Sequence, residues 1–401
     1  MSEVMDDAVE SQVPILRPAW LHPTGARVSC LAVNDQTDMD FTNASDQSLL
    51  RSLCAFGTDD GKIKILDTAS GSVVFRYESD LGLFGVSSVA LSSKDYRVAA
   101  GFEDGTFLVF DFRKGMDQFS KNLLLLNEQK NDGPTTIPEL SDEVVNGELL
   151  FKKKFPKQMV EKVCWQWQTP TVFLSVGKSV FYFDTEDKEL NLFVEEETSI
   201  TDLVVSRFPQ HGPAVMLTCY GHLKIYQIQS SRQVEDFAWK GSLINLNLCP
   251  HKKYVVCGTQ EQTIHIWNLK QKKDFEMRGF SQKVKQMSFR EDGLQMAHGS
   301  GDEVILWDFS GQGPAGKRPV ILGPHESKVS EVHFQNHGQL LASAAQDGII
   351  LLWNVNSPNV PVAITGVRDQ AITKIQWTAD DRYLFAGFAT GYVVMIPVPE
   401  L

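Results

Sequence analysis

At 401 residues the chain has room for two or three domains of ordinary size, or for one large repeat array. Hydrophobic residues make up 42% and charged residues 22%, a globular composition too apolar for a disordered chain. Fifty acidic residues against 38 basic ones leave a formal charge of −12. Such a chain repels phosphate backbones and anionic lipid, which excludes nucleic acid as the main partner unless a strong local basic patch exists.

The first elements in chain order are not structural. Residues 1–12 carry Glu3, Asp6, Asp7 and Glu10 and no basic residue, so they read as an acidic flexible tail rather than a signal peptide. Aliphatic runs such as 123–126 fall far short of the roughly 20 residues a membrane helix needs, so no membrane insertion is expected. Cys30, Cys54, Cys164, Cys219, Cys249 and Cys257 form no CxxC pair and sit mostly in alternating apolar stretches. Reduced core thiols and a cytoplasmic location are the expectation.

From residue 13 onward a hairpin pattern recurs. The stretch 340–354 (LLASAAQDGIILLWN) reads as a strand, an Asp-Gly turn and a second strand ending in Trp353. Equivalent slots fall at Leu66, Phe110, Phe183, Tyr226, Trp267, Trp307, Trp353 and Ile396, spaced by 44, 73, 43, 41, 40, 46 and 43 residues. Each unit has an upstream apolar strand, predicted over 28–33, 86–91, 160–165, 200–205, 243–248, 284–289, 329–334 and 372–377. A further short strand follows most slots. Four antiparallel strands per unit is a propeller blade, and a blade buries both faces only by stacking on neighbours. The last strand, 392–397, lacks an outer neighbour, and the apolar segment 14–20 (PILRPAW) is predicted to supply it and remove the open edge.

These residues resemble the WD40-repeat family, with Trp267-Asn268, Trp307-Asp308 and Trp353-Asn354 at the WD position. The resemblance covers about 13–401 and is strongest from residue 243. With the eight units counted above, it implies an all-β fold, one closed propeller of eight four-stranded blades, with seven, the commoner number in the family, as the alternative. In the seventh repeat it also implies a buried structural polar network of His325, Ser343, Asp347 and Trp353, in which the groups satisfy one another. The C-terminal half further resembles a group of bacterial WD-repeat proteins with a WDxSGxGP stretch, here 307–314, which are sometimes encoded beside metal-chaperone GTPases.

Motifs that mimic chemistry are weak. Residues 311–318 (GQGPAGKR) match a phosphate loop on paper, but Pro314 removes an N–H and a strand, not a helix, follows. A flexible turn is expected instead. His333 and His337 have ligand spacing only on a helix, and here they fall in a strand and a turn. No catalytic, metal or cofactor site emerges, and no small-molecule substrate is inferred.

Partner-binding candidates are more specific. The long insertions 34–50, 113–147 and 310–317 all fall in first-to-second or third-to-fourth loops, which share one face; that face is predicted to be partner-specific. Insertion 113–147, between the third and fourth strands of blade two, holds Phe119, Leu123, Leu124, Leu125 and Leu126, which either fold on a partner or pack back on the propeller. Lys152, Lys153 and Lys154, with Lys157 and Lys162, form the one basic cluster: a solvated strand edge, or a site for an acidic partner or the chain's own 195–197. On the opposite face Trp239, Lys240, Arg368 and Asp369 are candidate anchors, although Trp239 equally suits a cap on its blade. The function expected is a non-catalytic protein-interaction scaffold. An accessory role in metal homeostasis and an enzyme using the central tunnel are the alternatives.

Overall fold

The computed structural model describes residues 13–33, 52–79, 84–128 and 145–398. The acidic tail 1–12 and the insertion 34–50 lie outside the described residues. Among these, the regular elements are 32 strands and one helix, and the strands form eight four-stranded antiparallel sheets. After β1 (Trp20–Pro23), blade one holds β2 (Val28–Val33), β3 (Leu53–Thr58), β4 (Lys62–Asp67) and β5 (Val73–Glu78). Blade two holds β6 (Val86–Leu91), β7 (Arg97–Phe102), β8 (Thr106–Asp111) and, beyond helix α1 (Arg113–Glu128), β9 (Glu148–Lys154). Blade three holds β10 (Val160–Trp165), β11 (Thr171–Val176), β12 (Ser179–Asp184) and β13 (Glu189–Glu195). Blade four holds β14 (Ile200–Phe208), β15 (Gly212–Cys219), β16 (His222–Gln227) and β17 (Gln233–Ala238). Blade five holds β18 (Asn247–Leu248), β19 (Tyr254–Gly258), β20 (Ile264–Asn268) and β21 (Lys273–Met277). Blade six holds β22 (Met287–Phe289), β23 (Gln295–Ser300), β24 (Glu303–Asp308) and β25 (Val320–Leu322). Blade seven holds β26 (Val329–Phe334), β27 (Leu340–Ala345), β28 (Ile349–Asn354) and β29 (Ala363–Gly366). Blade eight holds β30 (Ile372–Trp377), β31 (Tyr383–Phe388), β32 (Tyr392–Pro397) and β1.

Burial explains why these runs are strands. Every residue of β3, β19 and β27 is buried, so the second strands are covered on both faces. Outer strands such as β17 expose half their residues instead. Two compact units divide the chain: Ala26–Phe193, and Met1–Gly25 with Val194–Leu401.

In the unit Ala26–Phe193, blades one, two and three stack through one small residue late in each second strand. A Cβ on Gly57 would lie 2.5 Å from Val86 Cβ, and one on Gly101 would lie 2.5 Å from Val160 Cγ1. Hydroxyls stitch the same inner strands, with Ser29 Oγ donating to Val86 O at 2.6 Å and Ser87 Oγ to Val160 O at 2.5 Å.

The same device recurs in the other unit, where a Cβ on Gly299 would lie 2.7 Å from Val329 Cγ1. Its inner strands also carry a polar row. Glu331 Oε1 accepts from Lys374 Nζ at 2.6 Å and from Gln286 Nε2 at 3.1 Å, linking blades six, seven and eight. Two inner strands are shorter than 243–248 and 284–289 predict. Asn245 explains this: its Oδ1 accepts from Gly258 N at 2.6 Å and its Nδ2 donates to Lys285 O at 2.5 Å, so a side chain replaces the ladder.

The N-terminal segment closes blade eight, but in two steps. Leu16 N donates to Ile364 O and Ile364 N to Pro14 O, both at 2.9 Å, so 14–16 lies along the edge of blade seven. Only then does β1 pair with β32, in the register Trp20↔Met395 to Pro23↔Tyr392. Pro18 has no N–H to donate, so the ladder on β32 starts after it, with Ala19 N on Met395 O at 2.8 Å.

Candidate functional site

Counting back four residues from the start of an inner strand, taken at the predicted 243 and 284 in blades five and six, locates one recurrent slot. In blade seven it is His325, and the geometry around it is complete. Ser343 Oγ accepts from Trp353 Nε1 at 2.8 Å and sits 2.8 Å from His325 Nε2. The hydroxyl receives the indole proton and gives its own to Nε2, which requires the imidazole proton on Nδ1. That nitrogen lies 3.9 Å from Asp347 Oδ2, an electrostatic contact rather than a hydrogen bond. His325, Ser343 and Trp353 are buried and Asp347 is partly so, and together they hold a turn of blade seven against its sheet.

The other blades of this unit fill the slot with different chemistry. In blade six it is Phe280, edge-on to His298 at 4.7 Å, and Trp307 Nε1 donates to His298 Nε2 at 3.1 Å. His298 thus stands where blade seven has Ser343. In blade five the slot is Trp239, whose ring lies 4.7 Å from His265 and tilted by 32°. His265 also meets Trp267 at 4.4 Å, and a Cβ on Gly241 would collide with the Trp239 indole. In blade four the slot is Glu196, buried, accepting from Tyr226 Oη at 2.6 Å and Lys224 Nζ at 2.7 Å. In blade eight it is Arg368, with Nη2 3.5 Å from Glu326 Oε1. One slot therefore joins His325 to two of the candidate anchors. Trp239 caps its blade as His325 does, and the indole that suggested an interface is half-buried by that role.

Burial pulls the pKa of His325 and of His298 down to about 4, with Asp347 and Asp302 opposing it at His325 and the Gly299 carbonyl opposing it at His298. The unfolded value is about 6.5, so the unfolded chain binds more protons between those limits. Stability is then full above pH 6.5 and is lost as pH falls toward 4, by about 1.4 kcal/mol per pK unit for each group. Urea unfolding at pH 7.5 and pH 5 checks this: a lower midpoint at pH 5 is expected, and equal midpoints contradict it.

Trp239, Phe280 and their neighbours line an open cleft on this unit. It measures about 510 Å³ and is lined by Trp239, Lys240, Glu261, Gln262, Arg278 and Phe280, among others. The fourth-to-first turns of blades four and five and the second-to-third turn of blade five meet here, on one face. Its floor is aromatic and stiff, because Trp239 lies tilted over His265 and Phe280 packs edge-on to His298. Its rim is charged: Arg278 Nη2 binds Glu276 Oε2 at 2.6 Å, whereas Lys240 and Glu261 are exposed. An aromatic floor with a mixed polar rim suits a peptide side chain better than a reaction, which needs converging acids, bases or nucleophiles. Among the described residues, no group of three or more His, Cys, Asp and Glu side chains could hold a metal ion.

Comparison with known proteins bears on the seventh repeat first. The family model described as WD domain, G-beta repeat matches residues 316–354, the repeat that contains His325, Ser343 and Trp353. A stretch of 81 residues is 33% identical to one of the subunits of Chromatin assembly factor 1 of Mus musculus. It covers 19% of this chain and only 14% of that protein. Both matches support the WD40-repeat family for this chain. Its eight blades make the WD40 fold a β-propeller, and a solved structure of the computationally designed Ika8 protein superposes with a TM-score of 0.66. That likeness covers 94% of this chain and 98% of the designed one at 16% identity, and it speaks for fold alone.

The WD40 frame places the remaining candidates. Insertion 113–147 opens as helix α1 rather than a loop, with Asp111 Oδ1 accepting from Arg113 N at 2.9 Å at its start. Met116 and Phe119 are 1% and 0% exposed and join the core of blades one and two, so Phe119 is no partner contact. The spacing of Phe112, Met116, Phe119 and Leu123 is a helical stripe that carried this outcome. Leu123 is half-buried, and the side chains of Leu124, Leu125 and Leu126 lie outside the described residues, as does 129–144.

Lys152, Lys153 and Lys154 end β9, all exposed. Asp369 is exposed at φ 64° in a turn where its N–H binds Asp347 O at 2.7 Å; with Arg368 it belongs to blade eight, away from the cleft lining. The turn 310–317 is pinned, not flexible. Lys317 Nζ donates to Ser310 O at 2.8 Å and Ser310 Oγ at 2.9 Å, and pairs with Asp308 Oδ2 at 2.9 Å. Hydrogen bonds from Ser310 and Lys317 hold the Asp308 carboxyl at about 2. His333 and His337 turn to different partners, Phe334 O at 3.0 Å and Glu291 Oε1 at 3.1 Å.

Sequence reading missed His265, His298, the Glu196–Tyr226–Lys224 cluster and the Gln286–Glu331–Lys374 row. Of these, Glu196 was legible only by counting to the slot, and His265 and His298 only as partners of the slot residues Trp239 and Phe280.

Proposed function

We propose that this WD40 propeller is a non-catalytic scaffold that binds a segment of a partner protein in the cleft between blades five and six. WD40 β-propellers in general present protein-binding surfaces on a rigid frame, and the repeat matched at 316–354 supports that general role here. The observation that supports the specific site is the cleft of about 510 Å³ over Trp239 and Phe280. It combines a stiff aromatic floor with exposed charges of both signs, Lys240 and Glu261. A preorganised floor lowers the ordering cost of binding, and rim charges select orientation.

The test separates binding from folding by changing the rim alone. Lys240→Glu with Glu261→Lys leaves the aromatic floor intact. Affinity capture from cell extract is expected to yield a stoichiometric protein partner with the unaltered chain and to lose it with the double variant. Equal recovery with both chains places the binding surface elsewhere. A capture that yields no partner under gentle conditions defeats the scaffold reading itself.

A further inference from the structure

The outer strand of blade two differs from its counterparts. Outer strands β13, β17 and β21 carry more acids than bases, whereas β9 ends in three consecutive lysines. On one side β9 pairs with β8, in the register Leu108↔Lys152, Phe107↔Lys153 and Thr106↔Lys154. Its other side pairs with no described strand, so a row of backbone donors and acceptors faces outward. The strand is held firmly from within: Phe151 stacks on Phe183 at 4.3 Å and 30°, and Leu150 packs on the core of blades two and three. Lys154 Nζ is neutralised by Asp104 Oδ2 at 2.6 Å. Lys152, Lys153 and, just beyond the strand, Lys157 are exposed and make no ion pair with any described residue. At the two ends of this edge lie exposed apolar side chains, Leu149 and Met159.

Lysines on an edge commonly guard it against pairing with other strands. That repulsion is selective. It rejects a second copy of this edge and costs an apolar strand the desolvation of ammonium groups, yet it favours a strand that brings carboxylates. Three lysines along about 10 Å of strand also suit one extended chain better than a duplex, whose long phosphate rows would meet a body of charge −12.

We propose that the outer edge of β9 docks an extended acidic segment of a partner protein. The segment adds a fifth strand to blade two through main-chain hydrogen bonds and sets carboxylates beside Lys152, Lys153 and Lys157. This site shares no residue with the cleft between blades five and six, so each stands or falls alone.

The probe is a labelled twelve-residue peptide of alternating glutamate and valine, titrated onto the full chain by fluorescence anisotropy. Saturable binding that weakens with added salt is expected. Lys152→Glu with Lys153→Glu should weaken it by about tenfold or more, as should replacing the peptide's glutamates by glutamine. Lys152→Gln with Lys153→Gln gives an intermediate loss and guards against misfolding of the reversed variant. N-methylation of alternate peptide residues should also weaken binding, because it removes ladder donors. The Lys240→Glu, Glu261→Lys variant should bind the peptide as the unaltered chain does. Unchanged binding after charge reversal, indifference to N-methylation, or equally tight binding of duplex DNA or phosphatidylserine vesicles would each overturn the proposal.

Discussion

Replacing Ser343 by Ala lowers the stability of the propeller by about 2–5 kcal/mol, far more than the loss of one surface hydroxyl. The hydroxyl is completely buried and serves two groups at once, the Trp353 indole and His325 Nε2. A neutral hydrogen bond contributes about 1 kcal/mol net, but a buried group left without its partner costs about 1–3. Ser343→Ala leaves two such groups, one donor and one acceptor, both buried. Trp353→Phe removes the donor and its demand together and orphans less. Adding Trp353→Phe to Ser343→Ala should therefore cost less than the sum of the two single changes, a coupling that a double-mutant cycle in urea resolves. Ser330→Ala is the internal control, since that half-buried hydroxyl serves only Ala344 O at 3.2 Å. A cost for Ser343→Ala no larger than the control would remove the network from the stability of blade seven.

Gly101→Val is the second large effect, at about 3 kcal/mol or more, from overpacking. Gly101 is not in the left-handed region, so its backbone tolerates a side chain. A Gly→Ala change at such a site usually stabilises by about 0.4–1 kcal/mol through the unfolded chain. Space reverses that sign here. A Cβ would lie 2.5 Å from Val160 Cγ1, 2.8 Å from Val160 Cβ and 3.1 Å from Val160 O, all on the rigid inner strand of the next blade. Even Gly101→Ala should therefore destabilise, and Gly101→Val should do so severely. Combining Gly101→Ala with Val160→Ala removes the colliding Cγ1 and should recover part of the loss, so the pair is less damaging than its members summed. Thermal unfolding that ranks Gly101→Ala above the unaltered chain would contradict this account of blade spacing.

Much of the architecture was legible in the sequence, for a physical reason. A four-stranded blade repeats hydrophobic alternation, a turn and a bulky third-strand residue at a near-constant period, so the slots at Trp267, Trp307 and Trp353 index the sheets. That index survived where Trp gave way to Leu66, Phe110 or Tyr226, because bulk rather than indole chemistry fills the slot. Local chemistry was harder to read. Polar caps are satisfied by geometry, so Glu196 with Tyr226 and Lys224 does the work of His325 with Ser343 and Trp353 using unrelated residues. Helix α1 was hidden by its polar surface and by Gly115, although its apolar stripe was present. The strap at 14–16 was displaced by one blade from its predicted partner because Pro18 interrupts the donors.

The candidate binding residues divided along the same line. Phe119 and Trp239 attract attention as large aromatics, and both are tied into blade packing: the first wholly, the second on one face. The residues available to a partner are the unremarkable ones around them, Lys240 and Glu261 beside the cleft, and Lys152 and Lys153 on an open edge.

Cross-linking of a captured complex, followed by mass spectrometry, tests the scaffold claim most directly. Amine-reactive cross-links from Lys240, and from the exposed Lys283 and Lys285 on the segment that follows Phe280, to a single stoichiometric partner are the expected result. A stoichiometric partner that never cross-links to these lysines, while linking readily to others, would contradict binding in the cleft between blades five and six.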